Sequence, residues 1–461
     1  MQTLKNQYNI QNQPMTSETF IGETVYKTTL KNGLEVHLMP KKHFAKKYAF
    51  FATRYGGLYN DYALDGKTYQ MPQGIAHFLE HQIFEDQEKS SFERFEELGA
   101  NLNAYTSYNS TVYHFDTIDH FETGIKLLIE MVQNTDISDA SVAKEIEVID
   151  QEIRMYMDEP VWDLSTNLYR GLFHHHPIRS EIAGSVESIR EIDKEKIIQC
   201  FEHFYAPSNM VLFLYGDLDI AETCVFLDAL FEEPLSEKPL LEDQGAVAKS
   251  KPSLVLPEEP YHVNYHRKEV DKDIGKGMML VGFKGDPNYF VTDRELKVAA
   301  LKIATDLMFG RSSGFYMMAY EAGIVTDAFD FDLQLGEGYA FVLVGNETDE
   351  IDLLYTKILE EIQKHLTNGF DADDFMRMKR KIMGRTVASF NSLQSIAGNY
   401  TQSVMRGNDL FKQMEAYKTL TLVDMQQVVN AFFDLENHTL SAVRSIKMQN
   451  KKNAEEGEIN E

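Results

Sequence analysis

Residues 74–85 read Gly-Ile-Ala-His-Phe-Leu-Glu-His-Gln-Ile-Phe-Glu. Ile75, Phe78, Leu79 and Ile83 recur at the spacing of a helix with one apolar face. Positions four apart on such a helix stand one above the other, so His77 and His81 can reach a single ion. Zinc held by neutral imidazoles and a carboxylate lowers its water's pKa towards about 7, which makes zinc-bound hydroxide available at neutral pH. Glu80, adjacent to His81, is placed to take the water's proton and later deliver it to a leaving amine. The competing reading is a pair of surface histidines on an ordinary helix.

A third protein ligand is required, and a helix predicted over 138–157 offers one. It opens on Ser138-Asp139-Ala140, a plausible N-cap, and carries Glu145 and Glu152 seven residues apart on one face. Glu152 is the candidate ligand, and Glu145 an outer carboxylate that orients a histidine or the water. A solvated charged face is the plain alternative.

The surrounding pattern is mixed. Strands are expected at 25–30 and 34–39 about the Asn32-Gly33 turn, at 49–55, and at 102–107 and 111–117. Helices are expected at 92–98, 121–133, 194–204 and 220–231, with a strand at 210–216 between the last two. The stretch 232–260 holds five of the chain's 12 prolines and little periodicity, as a linker does. Beyond it the order partly repeats: strand 278–283, helix 293–309, strands 328–335 and 339–345, helices 351–367 and 372–394, and strand 439–443. The expected fold class is therefore α+β. Two homologous domains, each a mainly antiparallel sheet with helices packed on one face, are joined by a Pro-rich linker. The boundaries are a flexible segment 1–21, a metal-binding domain 22–231, the linker 232–260, a second domain 261–448 and a disordered tail 449–461.

With 45 Lys+Arg against 72 Asp+Glu, the formal net charge is −27. That argues against nucleic acid or an anionic membrane surface as partner, since both select basic patches. The N-terminus shows no secretory signal, and no window approaches the ~18 apolar residues of a membrane span. Cys200 and Cys224 read as small buried hydrophobes in a reducing compartment, so a cytoplasmic protein without membrane insertion is expected.

Four stretches carry a resemblance to a known family: 74–85, LGANLNAYTSYNSTVYHF (98–115), EIEVIDQEIRMYMDEP (145–160) and HHPIRSEIAGSVESI (175–189). In this order they resemble the pitrilysin/insulinase zinc metallopeptidases, inverzincins with the H-x-x-E-H order. The small bacterial and processing-peptidase-like members are the most similar. The resemblance implies one Zn2+ per chain, held by His77, His81 and Glu152, with Glu80 as general base and Glu145 in support. It also implies that a peptide substrate adds a strand to a sheet edge at Asn103 and Ala104, where backbone hydrogen bonds tolerate many sequences.

One departure matters. Active members hold the scissile carbonyl with an Arg and a Tyr seven residues apart in the second half. The segment matched to that pair, 345–355, has no arginine, and Tyr355 is its only tyrosine. The expectation is therefore a heterodimer with a homologous, metal-free partner, with a homodimer as the other arrangement. A non-catalytic peptide-binding or assembly subunit is the runner-up, and another kind of zinc hydrolase the third reading. His174-His175-His176 reads as a surface loop rather than a metal site. Gly310-Arg311-Ser312-Ser313-Gly314 reads as a turn feeding a helix, since it lacks the ending of a phosphate loop.

Overall fold

The structure is a computed structural model that describes residues 15–20, 22–84, 90–133, 137–232, 250–390 and 392–447. Its strands begin with β1 (Thr16–Phe20), β2 (Glu23–Thr29), β3 (Glu35–Pro40), β4 (Lys47–Thr53), β5 (Asp61–Leu64), β6 (Lys67–Gln70), β7 (Asn101–Thr106) and β8 (Thr111–Thr117). They continue with β9 (Met210–Gly216), β10 (Ser253–Leu254), β11 (Arg267–Lys272), β12 (Met278–Lys284), β13 (Asp330–Gly336), β14 (Tyr339–Glu347) and β15 (His438–Ser445). Among the helices are α1 (Ile75–Phe84), α2 (Asp139–Asp158), α3 (Pro160–Leu172) and α4 (Leu393–Met405).

Two units form. One gathers Met1–Ile153, Glu181–Val255 and Val387–Phe411; the other gathers Arg154–Ser180, Leu256–Thr386 and Lys412–Glu461. The first holds a seven-stranded sheet in the order β1-β2-β3-β9-β4-β8-β7, the second a five-stranded sheet in the order β11-β15-β12-β14-β13. Among the described strands of the first, only β3 and β9 run parallel; among those of the second, only β11 and β15 do. The run β3-β9-β4-β8-β7 thus repeats strand for strand in the second sheet, parallel pair included. Two α+β domains of one design are what the order of elements predicts.

Packing explains both sheets. Every residue of β9, Met-Val-Leu-Phe-Leu-Tyr-Gly, is buried, as a central strand covered on both faces requires. One face of the first sheet presents Val25, Tyr48, Phe50, Phe213 and Tyr215 to Ile396, Ala397 and Tyr400 of α4. Tyr400 also hydrogen-bonds through its hydroxyl to Nδ1 of the buried His37, at 2.9 Å. In the second unit α3 packs on β12 and β15.

The expected boundaries need correcting. Segments 154–180 and 387–411 each belong to the unit opposite to their half of the chain, so no single break in 232–260 separates the units. Of the expected flexible segment, 16–20 is edge strand β1, paired along its length with β2. Within the expected linker, β10 pairs with β5. Residues 1–14 and 21 of the segment expected to be flexible, and the tail expected to be disordered, lie outside the described residues, as does 233–249. The hairpin of β5 and β6 turns on Asp65 and Gly66, both at positive φ (50° and 76°), the geometry that favours this pair.

His174-His175-His176 is not a plain surface loop. The backbone N–H groups of all three donate to the Glu259 carboxylate, at 2.9, 2.7 and 2.8 Å. Lys284 Nζ donates to the same carboxylate at 2.8 Å and lies over the Phe173 ring. His176 is buried, and its ring bonds the Glu337 carbonyl and the Ile178 N–H. Burial works to raise the Glu259 carboxyl, but the bonds from Lys284, His174 and His175 outweigh it and hold it at about 2. Glu259→Ala leaves the buried Lys284 ammonium without its counter-ion, held by the Pro260 and His262 carbonyls, so unfolding in denaturant at pH 7 should lose about 2–3 kcal/mol. Because the folded pKa is depressed, this stability is present above about pH 4.5 and is lost as pH falls towards about 2. Glu259→Gln should therefore flatten the acid limb of a stability profile; an unchanged limb contradicts the assignment.

Candidate metal centre

The centre is built on α1 and α2. Ile75, Phe78, Leu79 and Ile83 of α1 are buried, which turns His77 and His81 together to the other side, ring centroids 4.6 Å apart. The helix starts beside Gly74, at φ 92°, where a Cβ would lie 2.4 Å from the Ala183 carbonyl oxygen. Only glycine lets α1 begin that close to the 183–184 backbone.

The buried stripe of α2 is Val142, Glu145, Ile149 and Ile153, so Glu145 occupies a place in an otherwise apolar row. The helix opens with reciprocal bonds: Ser141 N–H to Ser138 Oγ at 3.0 Å and Ser138 N–H to Ser141 Oγ at 3.1 Å. Ser141 Oγ also donates to Gln82 Oε1 at 3.0 Å, which ties the start of α2 to α1.

Three of the expected ligands come together. Ligand atoms of His77, His81 and Glu152 all lie within 4.8 Å of one another. His77 Nε2 is 3.9 Å from Glu152 Oε1, and His81 Nε2 is 3.7 Å from Glu152 Oε2. Ligands about 2.1 Å from a tetrahedral ion stand roughly 3.4 Å from each other, so a small contraction admits zinc. Two imidazoles and a carboxylate are a donor set that suits this metal. The side chains are 15%, 28% and 21% exposed, which leaves the trio accessible from one side.

A second partner orients the His81 ring. Glu145 Oε1 lies 2.7 Å from His81 Nδ1, so that nitrogen carries a proton, and in the neutral ring Nε2 keeps its lone pair. Among the described residues the buried His77 Nδ1 has no hydrogen-bond partner, and Nε2 is the atom that faces Glu152. Burial lowers the His77 imidazole to about 4, with His81 adding to the effect, which keeps it in the uncharged ligand form at neutral pH. Burial also acts to lower His81, but Glu145 and Glu152 outweigh it and the net direction is upward.

Glu80 stands apart from the trio. It is 8% exposed and accepts a hydrogen bond from Thr106 Oγ1 at 2.6 Å. Burial raises its carboxyl, against the lowering effect of Thr106 and His81. A buried carboxylate beside a candidate metal trio, but outside it, can pass protons.

β7 is the outer strand of its sheet and packs against α1. Asn103 is exposed on it, and the Ala104 N–H donates to Asn103 Oδ1 at 2.8 Å. Among the described strands none pairs with the outer edge of β7. Thr106 had no expected role, although strict alternation along β7 places it on the same face as Ala104. In the 345–355 segment, the Tyr355 hydroxyl is bonded to His438 Nε2 at 2.8 Å, and Asp352 pairs with Arg444. Cys200 and Cys224 are buried free thiols, and α-helix Gly314–Glu321 follows the 310–314 turn with Ser313 as N-cap.

The chain is similar to known proteins over most of its length. Residues 66–186 match the insulinase family (peptidase family M16), and residues 191–382 match the peptidase M16 inactive domain. The chain is 33% identical to the uncharacterized zinc protease YmfH of Bacillus subtilis, over 88% of this chain and 93% of that one. It is 23% identical to the mitochondrial-processing peptidase subunit beta of Neurospora crassa, over 91% and 88%. A solved M16-like peptidase from Alicyclobacillus acidocaldarius superposes with a TM-score of 0.83 at 31% identity, covering 94% of this chain and 99% of that one. A protease from Helicobacter pylori shares the fold, with a TM-score of 0.78 at 18% identity over 93% and 99%. A trio on two helices, a carboxylate beside it, a duplicated sheet and matches over most of the length lead to one conclusion: the chain belongs to the insulinase (M16) family of peptidases.

Proposed function

We propose that this chain is a zinc-dependent endopeptidase acting on small or unfolded peptides, and the metal-bearing subunit of a heterodimer. The observation that carries the reading is the division between His77, His81 and Glu152, which converge, and Glu80, which lies beside them on its own hydrogen bond. A zinc ion in the trio would act as a Lewis acid and lower a water's pKa towards about 7. Glu80 would take the proton of the attacking water and hand it to the leaving amine nitrogen as the C–N bond breaks. β7, at Asn103 and Ala104, would receive the peptide as an added strand. The zinc-protease names of relatives support the metal, and no described helix is long and apolar enough to cross a membrane. The net charge of −27 favours basic or amphipathic peptides, and the two reduced, buried cysteines suit the cytoplasm.

Glu145 would orient His81. Glu145→Gln should weaken zinc binding by about 10- to 100-fold in chelator competition, without loss of fold. Wild-type affinity in that variant removes the role.

The second chain is supported by segment 345–355, which has no arginine and whose Tyr355 hydroxyl is already bonded to His438. The same observation favours the other reading, a peptide-binding assembly subunit in which zinc is structural. Cleavage of a quenched peptide library by the zinc-loaded chain, alone and with homologous metal-free partners, separates them. Cleavage that appears only with a partner supports the heterodimer. Full activity alone points to a self-sufficient monomer or homodimer, and peptide binding without cleavage under any pairing supports the assembly subunit.

A further inference from the structure

We infer that Thr106 is a positioning residue for Glu80, and that the strand which receives the peptide also aims the base. This rests on the peptidase reading above. The contact is short: Thr106 Oγ1 to Glu80 Oε2 is 2.6 Å, the length of a charge-assisted O–H···O⁻ bond.

The direction of the bond is set one residue pair away. Thr106 faces Thr111 across the β7–β8 ladder, their hydroxyl oxygens 3.2 Å apart. Thr111, fully buried, donates to the Tyr55 carbonyl oxygen at 2.9 Å. A carbonyl only accepts, so the single hydroxyl proton of Thr111 is committed there. Thr106 keeps its own proton for Glu80. Oε2 is thereby fixed as an acceptor, and Oε1 is left to take and return the proton of the reaction.

The support is stiff. Both threonines are β-branched, with restricted χ1, and both sit in a paired ladder. Glu80 has three rotatable bonds of its own, and the hydroxyl removes that freedom. Because Thr106 lies two residues beyond Ala104 on β7, a peptide docked on this edge and the carboxylate that serves it are registered to one strand.

The test uses the full zinc-loaded chain and two probes: a peptide ending in a hydroxamate, whose chelating head gives up a proton to a neighbouring carboxylate, and the same peptide ending in an amide. Thr106→Val should weaken the hydroxamate by about 10- to 100-fold. Affinity for zinc and for the amide peptide should stay at wild-type values. Thr106→Ser should restore hydroxamate affinity, and Thr106→Ala, which differs from it by one oxygen, should not, so the comparison survives any packing cost of valine. Where turnover is measurable with or without a partner, kcat should fall and KM should not. Equal hydroxamate affinity in wild type and Thr106→Val, or equal affinity in the Ser and Ala variants, overturns the inference alone. A wild type that ignores the hydroxamate, or a Glu80→Gln variant that binds it as tightly, overturns the peptidase reading and this inference together.

Discussion

Glu80→Gln should cut peptide hydrolysis by about 10²- to 10⁴-fold while leaving zinc bound at wild-type stoichiometry. Glutamine has nearly the same volume and keeps a carbonyl oxygen for the Thr106 hydroxyl, so the buried pocket stays filled and the 2.6 Å contact has a counterpart. What disappears is basicity: an amide neither takes a water's proton nor supplies one to the departing nitrogen. Because Glu80 stands outside the trio of His77, His81 and Glu152, the loss should fall on turnover and spare metal content. Zinc analysis beside a cleavage assay, in the partnered state if cleavage requires it, checks both halves. Loss of zinc in the variant would make Glu80 a ligand, and undiminished cleavage would remove it from the chemistry.

Glu152→Ala should abolish the thermal shift that zinc gives the wild type. A site with zinc at 1,000 times its dissociation constant stabilises the fold by about 4 kcal/mol. Losing an orienting carboxylate costs roughly 10- to 100-fold in metal affinity, and losing one of only three protein ligands should cost more. Glu152 is also the residue that joins α2 to α1 at the trio, since its two oxygens face Nε2 of His77 and of His81. Glu147 on the same helix is exposed and provides the control: Glu147→Ala should keep the full shift. Equal shifts in the two variants would place the ion elsewhere.

Helix α1 was legible because its signals are local. Apolar spacing at 75, 78, 79 and 83 fixes which way His77 and His81 face, and the Ser138 cap fixes where α2 starts. The turn at Asn32-Gly33 and the edge hairpin of β7 and β8 were equally local. What escaped depends on partners distant in sequence. Periodicity in 372–394 reads as one helix, whereas the structure ends a helix at Ser389 and opens α4 at Leu393, with Ser392 accepting from the Ser395 N–H. An apolar face on α4 announces burial, but not that it lies on β4 and β9, so the interleaving of the units could not be read. His176 looks like one of three surface histidines until Glu259 gathers their N–H groups. The turn residues Asp65-Gly66 were a usable signal for the β5–β6 hairpin. Thr106 offered only its alternation with Ala104, and its role needs the position of Glu80.

Anomalous diffraction on either side of the zinc edge, from crystals of the zinc-loaded chain, measures directly whether these side chains hold the ion. The expected result is one peak about 2.0–2.2 Å from a nitrogen of His77, a nitrogen of His81 and an oxygen of Glu152, with Glu80 outside coordination. A peak closed off by Glu80 as a fourth protein ligand, or no peak between α1 and α2, would contradict a catalytic zinc centre in this chain.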